Sequence, residues 1–245
     1  MSALTKITTV EAKLFFRDPT AAIMTFALPI GLLVIFGSIG IGESPEGSDD
    51  GVSEAFLPVM TLSLAAAMLG FSILPTILAS YREKGVLRRL SVTPVNPINV
   101  LSAQLLVNLA AAVFAAFVVL VLGAVAYDLG SPGDVLGFAV AFVLMTAAIF
   151  AIGLLVAALA PTGKSATSIG MLLFFPSMFF AGVWTPGDLM PEWARPIRDV
   201  SPMGAGMEAM QDAWDGAWPA AVNLTALVVV TVVAGLAAAR LFRWE

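Results

Sequence analysis

The chain of 245 residues contains no cysteine and no histidine, and only 12% of its residues are charged. The first two absences exclude disulfides, zinc-finger ligand sets, cysteine or histidine nucleophiles and imidazole proton relays. Soluble domains carry about 25% charged residues, so the third argues against a soluble globular domain. Acidic residues outnumber basic ones by 17 to 12, which excludes the basic footprint of a nucleic-acid-binding protein.

Apolar sequence is what the chain has in excess, with 59% hydrophobic residues and a mean hydropathy of +0.95. A helix that crosses a membrane needs about 20 apolar residues. Polar Gln104 and Asn108 are expected to hydrogen-bond between helices. The sequence predicts an all-α polytopic membrane protein, one domain over residues 1–245, with six spans at about 19–42, 55–81, 100–127, 135–161, 165–187 and 219–239.

The basic residues predict the orientation of these spans. With the N-terminus in the cytoplasm, ten of the 12 Lys and Arg residues are cytoplasmic and only Arg195 and Arg198 lie outside. The positive-inside rule therefore places both termini in the cytoplasm. In residues 1–18, apolar positions recur at helical spacing with polar residues, Glu11 among them, in between. This pattern predicts an interfacial amphipathic helix rather than a frayed tail. Outside, residues 189–198 and 203–215 are expected to form re-entrant helices; the alternative is a solvated acidic loop.

None of the predicted spans contains a Lys, Arg, Asp, Glu or His residue. Proton-coupled carriers generally need such groups at mid-membrane, so energy for transport is expected to come from elsewhere. Residues 158–165 resemble a phosphate-binding loop, but Ala158 replaces its first glycine and a membrane helix, not a strand, precedes it. We therefore expect nucleotide on another polypeptide, and no enzyme activity, cofactor or metal site in this chain.

The cytoplasmic segment after the second span combines basic and apolar residues. Such a segment can dock on a partner protein, although an ordinary basic loop that only sets topology would look similar. The residues that define this candidate coupling loop are Glu83, Lys84, Gly85, Leu87, Arg88, Arg89, Leu90, Thr93 and Pro94.

The predicted fifth span is rich in phenylalanine and methionine. Pro176 removes a helical hydrogen bond and Gly182 loosens the following turn, so both are expected to break this helix near the centre of the bundle. Methionine and aromatic rings suit large apolar molecules; packing or lipid contact is the alternative. The candidates for lining a transport pathway are Phe174, Phe175, Met178 and Phe179.

Two stretches resemble type-2 ABC transporter permeases, in particular the daunorubicin-resistance and nodulation-protein permeases. Residues 83–90 follow the pattern of the first cytoplasmic loop of that family, without the one-residue spacer of some members, and Thr93-Pro94 falls where the pattern ends. Residues 175–193 resemble the family's fifth span and outer segment. Ser201-Pro202 stands where the family often has Asn-Pro.

The resemblance implies the permease subunit of an ATP-driven exporter in a bacterial cytoplasmic membrane. Such a subunit pairs with a second permease chain, itself or a sister, and with two ATP-binding cassette subunits that hold ATP and Mg²⁺. It implies that the coupling loop contacts the ATPase and that Thr162, Gly163 and Lys164 form a second, smaller contact. The expected cargo is a drug, a lipid or a lipid-linked product, as in multidrug efflux and antibiotic resistance. A polysaccharide exporter and a partner-free channel or facilitator are the alternatives.

Overall fold

The computed structural model describes residues 3–39, 54–86, 98–184 and 190–242, and all regular structure in these ranges is helical. The expected all-α class is therefore confirmed. A short 3₁₀ turn covers Glu192–Ala194. The helices are α1 (Ala3–Arg17), α2 (residues 19–38), α3 (Phe56–Glu83), α4 (Ile98–Ala126), α5 (Val135–Leu159), α6 (Gly163–Phe180), α7 (Arg195–Val200), α8 (Pro202–Trp214) and α9 (Ala221–Leu241).

In the described part of the chain, four helices are long and apolar enough to cross a membrane: α3, α4, α5 and α9. They match the second, third, fourth and sixth predicted spans. The first and fifth predicted spans correspond to α2, whose apolar stretch is Ile23–Ser38, and to α6. The predicted ends of those two spans, at 42 and 187, lie outside the described residues.

The helix at the centre of the fold is α3. Every residue of its N-terminal half, Phe56–Ala67, is buried. Helices α2, α4, α5, α6 and α8 all pack against it, while α9 packs against α5 and leaves Val222, Val229 and Val233 exposed. Exposed valines on a long apolar helix are suited to contact with lipid.

Helices α2 and α3 each contain a π-helical turn, at Ile23–Ala27 and Met68–Ile73. Each turn ends just before a Leu-Pro pair, containing Pro29 or Pro75. Proline lacks the N–H that would continue the α-helical pattern, and the extra residue of a π turn accommodates this loss. The two turns lie in contact with each other.

Glycines on α5 and α6 allow both helices to approach the π turn of α3 closely. A Cβ atom on Gly153 would overlap the carbonyl oxygen of Gly70, and a Cβ atom on Gly170 would overlap that of Phe71. Small residues at helix contacts are a general means of close packing in membranes. The backbone of α3 is thus fixed against two neighbouring helices at mid-length.

Helix α6 continues through Pro176 and is not broken there, contrary to the sequence-based expectation. A proline within a membrane helix is tolerated where neighbouring helices surround it, and α3 and α8 pack against α6. The helix ends instead at Gly182, whose φ of +79° lies in the left-handed region. Val183 N–H donates to Met178 O at 3.1 Å, which completes a Schellman motif.

Helix α8 is buried against the bundle. Ser201 caps its N-terminus, since the Ser201 hydroxyl accepts from Gly204 N–H at 3.1 Å. Its Gly206 lies against the side chain of Met145 on α5. Arg198 of α7 pairs with Glu208 of α8 at 3.0 Å. Two short helices are therefore present between α6 and α9, at Arg195–Val200 and Pro202–Trp214, in the stretch where helices over 189–198 and 203–215 were expected.

Candidate functional site

Two consecutive residues at the end of α3, Arg82 and Glu83, bind opposite sides of the turn between α5 and α6. The Arg82 guanidinium donates to the carbonyl oxygens of Ala158, at 3.1 Å, and of Ala160. The last carbonyls of a helix have no partner within it and carry partial negative charge. Arg82 therefore satisfies the C-terminal end of α5.

The neighbouring Glu83 satisfies the start of α6. Its carboxylate accepts from Gly163 N–H at 3.0 Å. A negative charge at a helix N-terminus is favourable because the first N–H groups there lack partners. Thr162 and Ser165 complete this end through a capping box, in which each side chain accepts from the backbone N–H of the other.

The structure thus brings together Glu83, from the candidate coupling loop, with Thr162 and Gly163, from the second candidate contact. A Cβ atom on Gly163 would overlap the Ser80 hydroxyl and lie 3.3 Å from the Thr76 carbonyl oxygen, so glycine favours the close approach of α3 and α6 here. Lys164 is exposed beside them. The sequence marks Arg82 as one of the basic residues of this segment, but the candidate coupling loop was predicted to begin at Glu83, so the contact of Arg82 with the end of α5 was not anticipated.

The candidate coupling loop begins where α3 ends. Gly85 adopts a φ of +65°, and its N–H donates to Arg82 O at 2.9 Å, which turns the chain away from the helix axis. Lys84 is exposed. The remaining members of the predicted loop lie outside the described residues; they are Leu87, Arg88, Arg89, Leu90, Thr93 and Pro94.

An apolar cavity of about 660 Å³ lies between α2, the N-terminal half of α3 and α6. Three of the four pathway candidates, Phe174, Phe175 and Met178, line it together with side chains such as Met60 and Trp184. All of its walls are apolar side chains. The size is within the range of about 300–1,000 Å³ that is usual for small-molecule sites.

The fourth candidate, Phe179, lies outside this cavity. Its ring stacks on Trp193 of the 3₁₀ turn Glu192–Ala194, with the ring centroids 6.3 Å apart and an interplanar angle of 27°. Phe180 contacts the same indole edge-on. Phe179 therefore connects α6 to this 3₁₀ turn. Phe175, in contrast, lines the cavity and is 60% exposed.

A buried polar network connects α1 to the C-terminal end of α3 and to α4. One Glu11 carboxylate oxygen accepts from Tyr81 Oη at 2.9 Å and from Gln104 Nε2 at 2.6 Å. Asn108 donates to Gln104 O at 2.8 Å. Gln104 and Asn108 are both buried, and Gln104 bonds to another helix as expected. Burial raises the pKa of Glu11 above its ordinary value, and the two hydrogen bonds partly oppose this.

Comparison with known proteins shows the family to which this chain belongs. Residues 3–213 match the model of the ABC-2 type transporter family. Because this match covers most of the chain, the protein belongs to that family, whose members are membrane permeases of ABC transporters. The resemblance inferred from residues 83–94 and 175–202 is thereby confirmed.

Two curated relatives are the probable multidrug ABC transporter permeases YbhR of Escherichia coli K12 and of E. coli O157:H7. Each is 28% identical to this chain over 176 residues, which is 67% of this chain and 46% of the relative. The chain thus spans about half the length of the curated relatives it matches.

Proposed function

We propose that this chain is the permease subunit of an ATP-driven exporter and that separate ATP-binding cassette subunits hydrolyse the ATP. The observation that carries the proposal is the pair Arg82 and Glu83, which joins the start of the candidate coupling loop to the turn between α5 and α6. Helix α6 also carries Phe174 and Phe175 in the cavity wall. A movement imposed on the loop would thus be passed to the wall of the cavity.

The proposed assembly contains two permease chains and two ATPase subunits. The apolar cavity supports the presence of a second permease chain, because Phe175 and Trp184 border it and remain 60% and 63% exposed. A second copy or a sister chain would cover this opening. The candidate coupling loop, with Thr162, Gly163 and Lys164, would face the ATPase subunits.

The proposed topology has six spans with both termini in the cytoplasm of a bacterium. Helices α2 and α6 would be the first and fifth spans, since 18 to 20 residues at 1.5 Å per residue reach about 27–30 Å. Helix α8 would be re-entrant. Its Gly206 contacts Met145, which lies ten residues beyond Val135 at the outer end of α5, or about 15 Å along that helix.

The proposed cargo is a hydrophobic or amphipathic compound such as a drug or a lipid. The support is the wall of the 660 Å³ cavity, which is made of aliphatic, aromatic and methionine side chains. Burial of a ligand's apolar groups against such a surface is favourable, whereas the hydroxyl groups of a polysaccharide would find few hydrogen-bond partners there. The relatives in E. coli are themselves named as multidrug transporter permeases.

The substitution Glu83→Ala tests the coupling step. The variant chain is co-purified with its partner ATPase, and the complex is reconstituted in vesicles. We expect this variant to lose cargo-stimulated ATP hydrolysis and transport of a hydrophobic dye while the complex still assembles, because α6 is then detached from the loop. Glu192→Ala, at an exposed acid of the outer segment, is the matched control and should behave as wild type.

Two results would count against the proposal. One is a Glu83→Ala complex that transports the dye with wild-type cargo stimulation. The other is dye flux through vesicles that contain this chain alone, without ATP, which would favour a facilitator.

A further inference from the structure

A second cavity, of about 460 Å³, opens at the inner end of the molecule between α1, the start of α2 and the end of α3. It is separate from the apolar cavity, with which it shares no lining residue. One part of its wall is apolar and includes Leu14, Phe15 and Ile77; another part carries Arg17 and Lys84. A cavity with this division suits a ligand that has an apolar part and a charged part.

The charges around this cavity show which sign the ligand would carry. Glu11 and Asp18 also line it, but Glu11 accepts hydrogen bonds from Tyr81 and Gln104, and Asp18 accepts from Ala21 N–H at 3.2 Å. In contrast, the side chains of Arg17 and Lys84 form no hydrogen bond or ion pair within the described residues. Hydrogen bonds from neutral donors leave the charges of the two acids in place, so the four charges of the lining balance. The charged groups without a partner are nevertheless the two cations, and a ligand that pairs with them would carry an anionic group.

The surface of α1 next to the cavity is apolar and exposed. Val10 and Leu14, one helical turn apart, are 55% and 47% exposed, and Arg17 follows on the same face. An exposed apolar stripe that ends in a cation matches the boundary between acyl chains and headgroups. Basic pockets between helices on the cytoplasmic side of a membrane bind the headgroups of anionic lipids.

We propose that this cavity binds one anionic phospholipid of the inner leaflet, whose phosphate contacts Arg17 and Lys84 and whose acyl chain lies along Leu14, Phe15 and Ile77. The lipid would hold the interfacial helix α1 against the end of α3. It is a resident ligand rather than cargo, and the inference depends on the membrane location of the chain but not on ATPase binding or transport.

The test is native mass spectrometry of the purified chain in detergent, titrated with dioleoyl phosphatidylglycerol and with dioleoyl phosphatidylcholine. We expect saturable binding of one phosphatidylglycerol and at least tenfold weaker binding of phosphatidylcholine. The double substitution Arg17→Gln with Lys84→Gln should weaken phosphatidylglycerol binding about 30-fold. The control, Lys13→Gln with Arg240→Gln, removes two exposed charges that do not line the cavity and should change the affinity less than threefold.

Measurements on the wild-type chain keep the proposal falsifiable even if the double variant does not fold. Dihexanoyl phosphatidylglycerol should bind at least tenfold more weakly than the dioleoyl form, because its chains cover less of the apolar wall. Inorganic phosphate should not displace the long-chain lipid. Equal binding of both headgroups, equal binding of both chain lengths, displacement by phosphate, or equal weakening in the control variant would each overturn the proposal.

Discussion

Replacing Gly170 by alanine tests the packing that holds α6 against the π turn of α3. The new Cβ atom would overlap the carbonyl oxygen of Phe71 and lie 2.8 Å from its carbonyl carbon, where ordinary contact begins at 3.4 Å. Since the obstacle is backbone, no side-chain rotation can relieve it, and the two helices must separate by at least 0.6 Å at this point. Overpacking of this kind costs about 1–3 kcal/mol.

For a chain of this length, a loss of about 2 kcal/mol lowers the melting temperature by roughly 4–8 °C. The five tryptophans allow the transition to be followed by intrinsic fluorescence in detergent. We also expect Gly170→Ala to reduce transport of a bulky dye, because α6 carries the cavity wall at Phe174 and Phe175.

The control is Gly235→Ala on α9, where a Cβ atom meets nothing within 4 Å. There alanine is favoured over glycine in a helix by about 1 kcal/mol, so the melting temperature should stay the same or rise. A Gly170→Ala variant as stable as Gly235→Ala would refute the close approach of α6 to Phe71.

Four further substitutions test other parts of the structure. Glu11→Gln keeps an acceptor for Tyr81 but cannot ionise. Because burial raises the folded pKa of Glu11 above its ordinary 4.5, wild-type stability falls as pH rises from 4.5 through the folded pKa, so the melting temperature of the variant should rise relative to that of wild type over this interval. Phe175→Ala should change the half-saturating concentration of a bulky dye about fivefold, and Phe179→Ala much less. Ser201→Ala should cost about 1 kcal/mol through the lost cap, or roughly 2–4 °C.

Each of these outcomes can fail in a specific way. A pH-independent difference between Glu11→Gln and wild type would show that the Glu11 carboxyl titrates as it does in the unfolded chain. Equal effects at Phe175 and Phe179 would remove the distinction between cavity wall and outer contact. An unchanged melting temperature for Ser201→Ala would mean that the cap of α8 contributes nothing to stability.

The long apolar helices could be predicted because their signal is local. The runs that form α3, α4, α5 and α9 are each long enough to cross a membrane by composition alone. At Pro176 the local rule was misleading, since surrounding structure allows the helix to continue where an isolated helix would break. Tertiary context overrides local propensity at such positions.

The candidate sites could be predicted only in part because they depend on contacts distant in sequence. Glu83 and Gly163 were singled out separately, but their contact spans 80 residues. Glu11 stood among the polar positions of an amphipathic helix, and its burial results from Tyr81 and Gln104, which lie 70 and 93 residues away. A single sequence carries no local signal for such pairings.

The central claim is that this chain works as the membrane subunit of an ATP-driven exporter. The most direct measurement is capture of the tagged chain from membranes in mild detergent, followed by native mass determination and an ATPase assay. The account predicts a complex of two permease chains with two ATP-binding cassette subunits, whose ATP hydrolysis rises on addition of hydrophobic compounds. Recovery of the chain without any ATPase, and no stimulation of one on mixing, would contradict it.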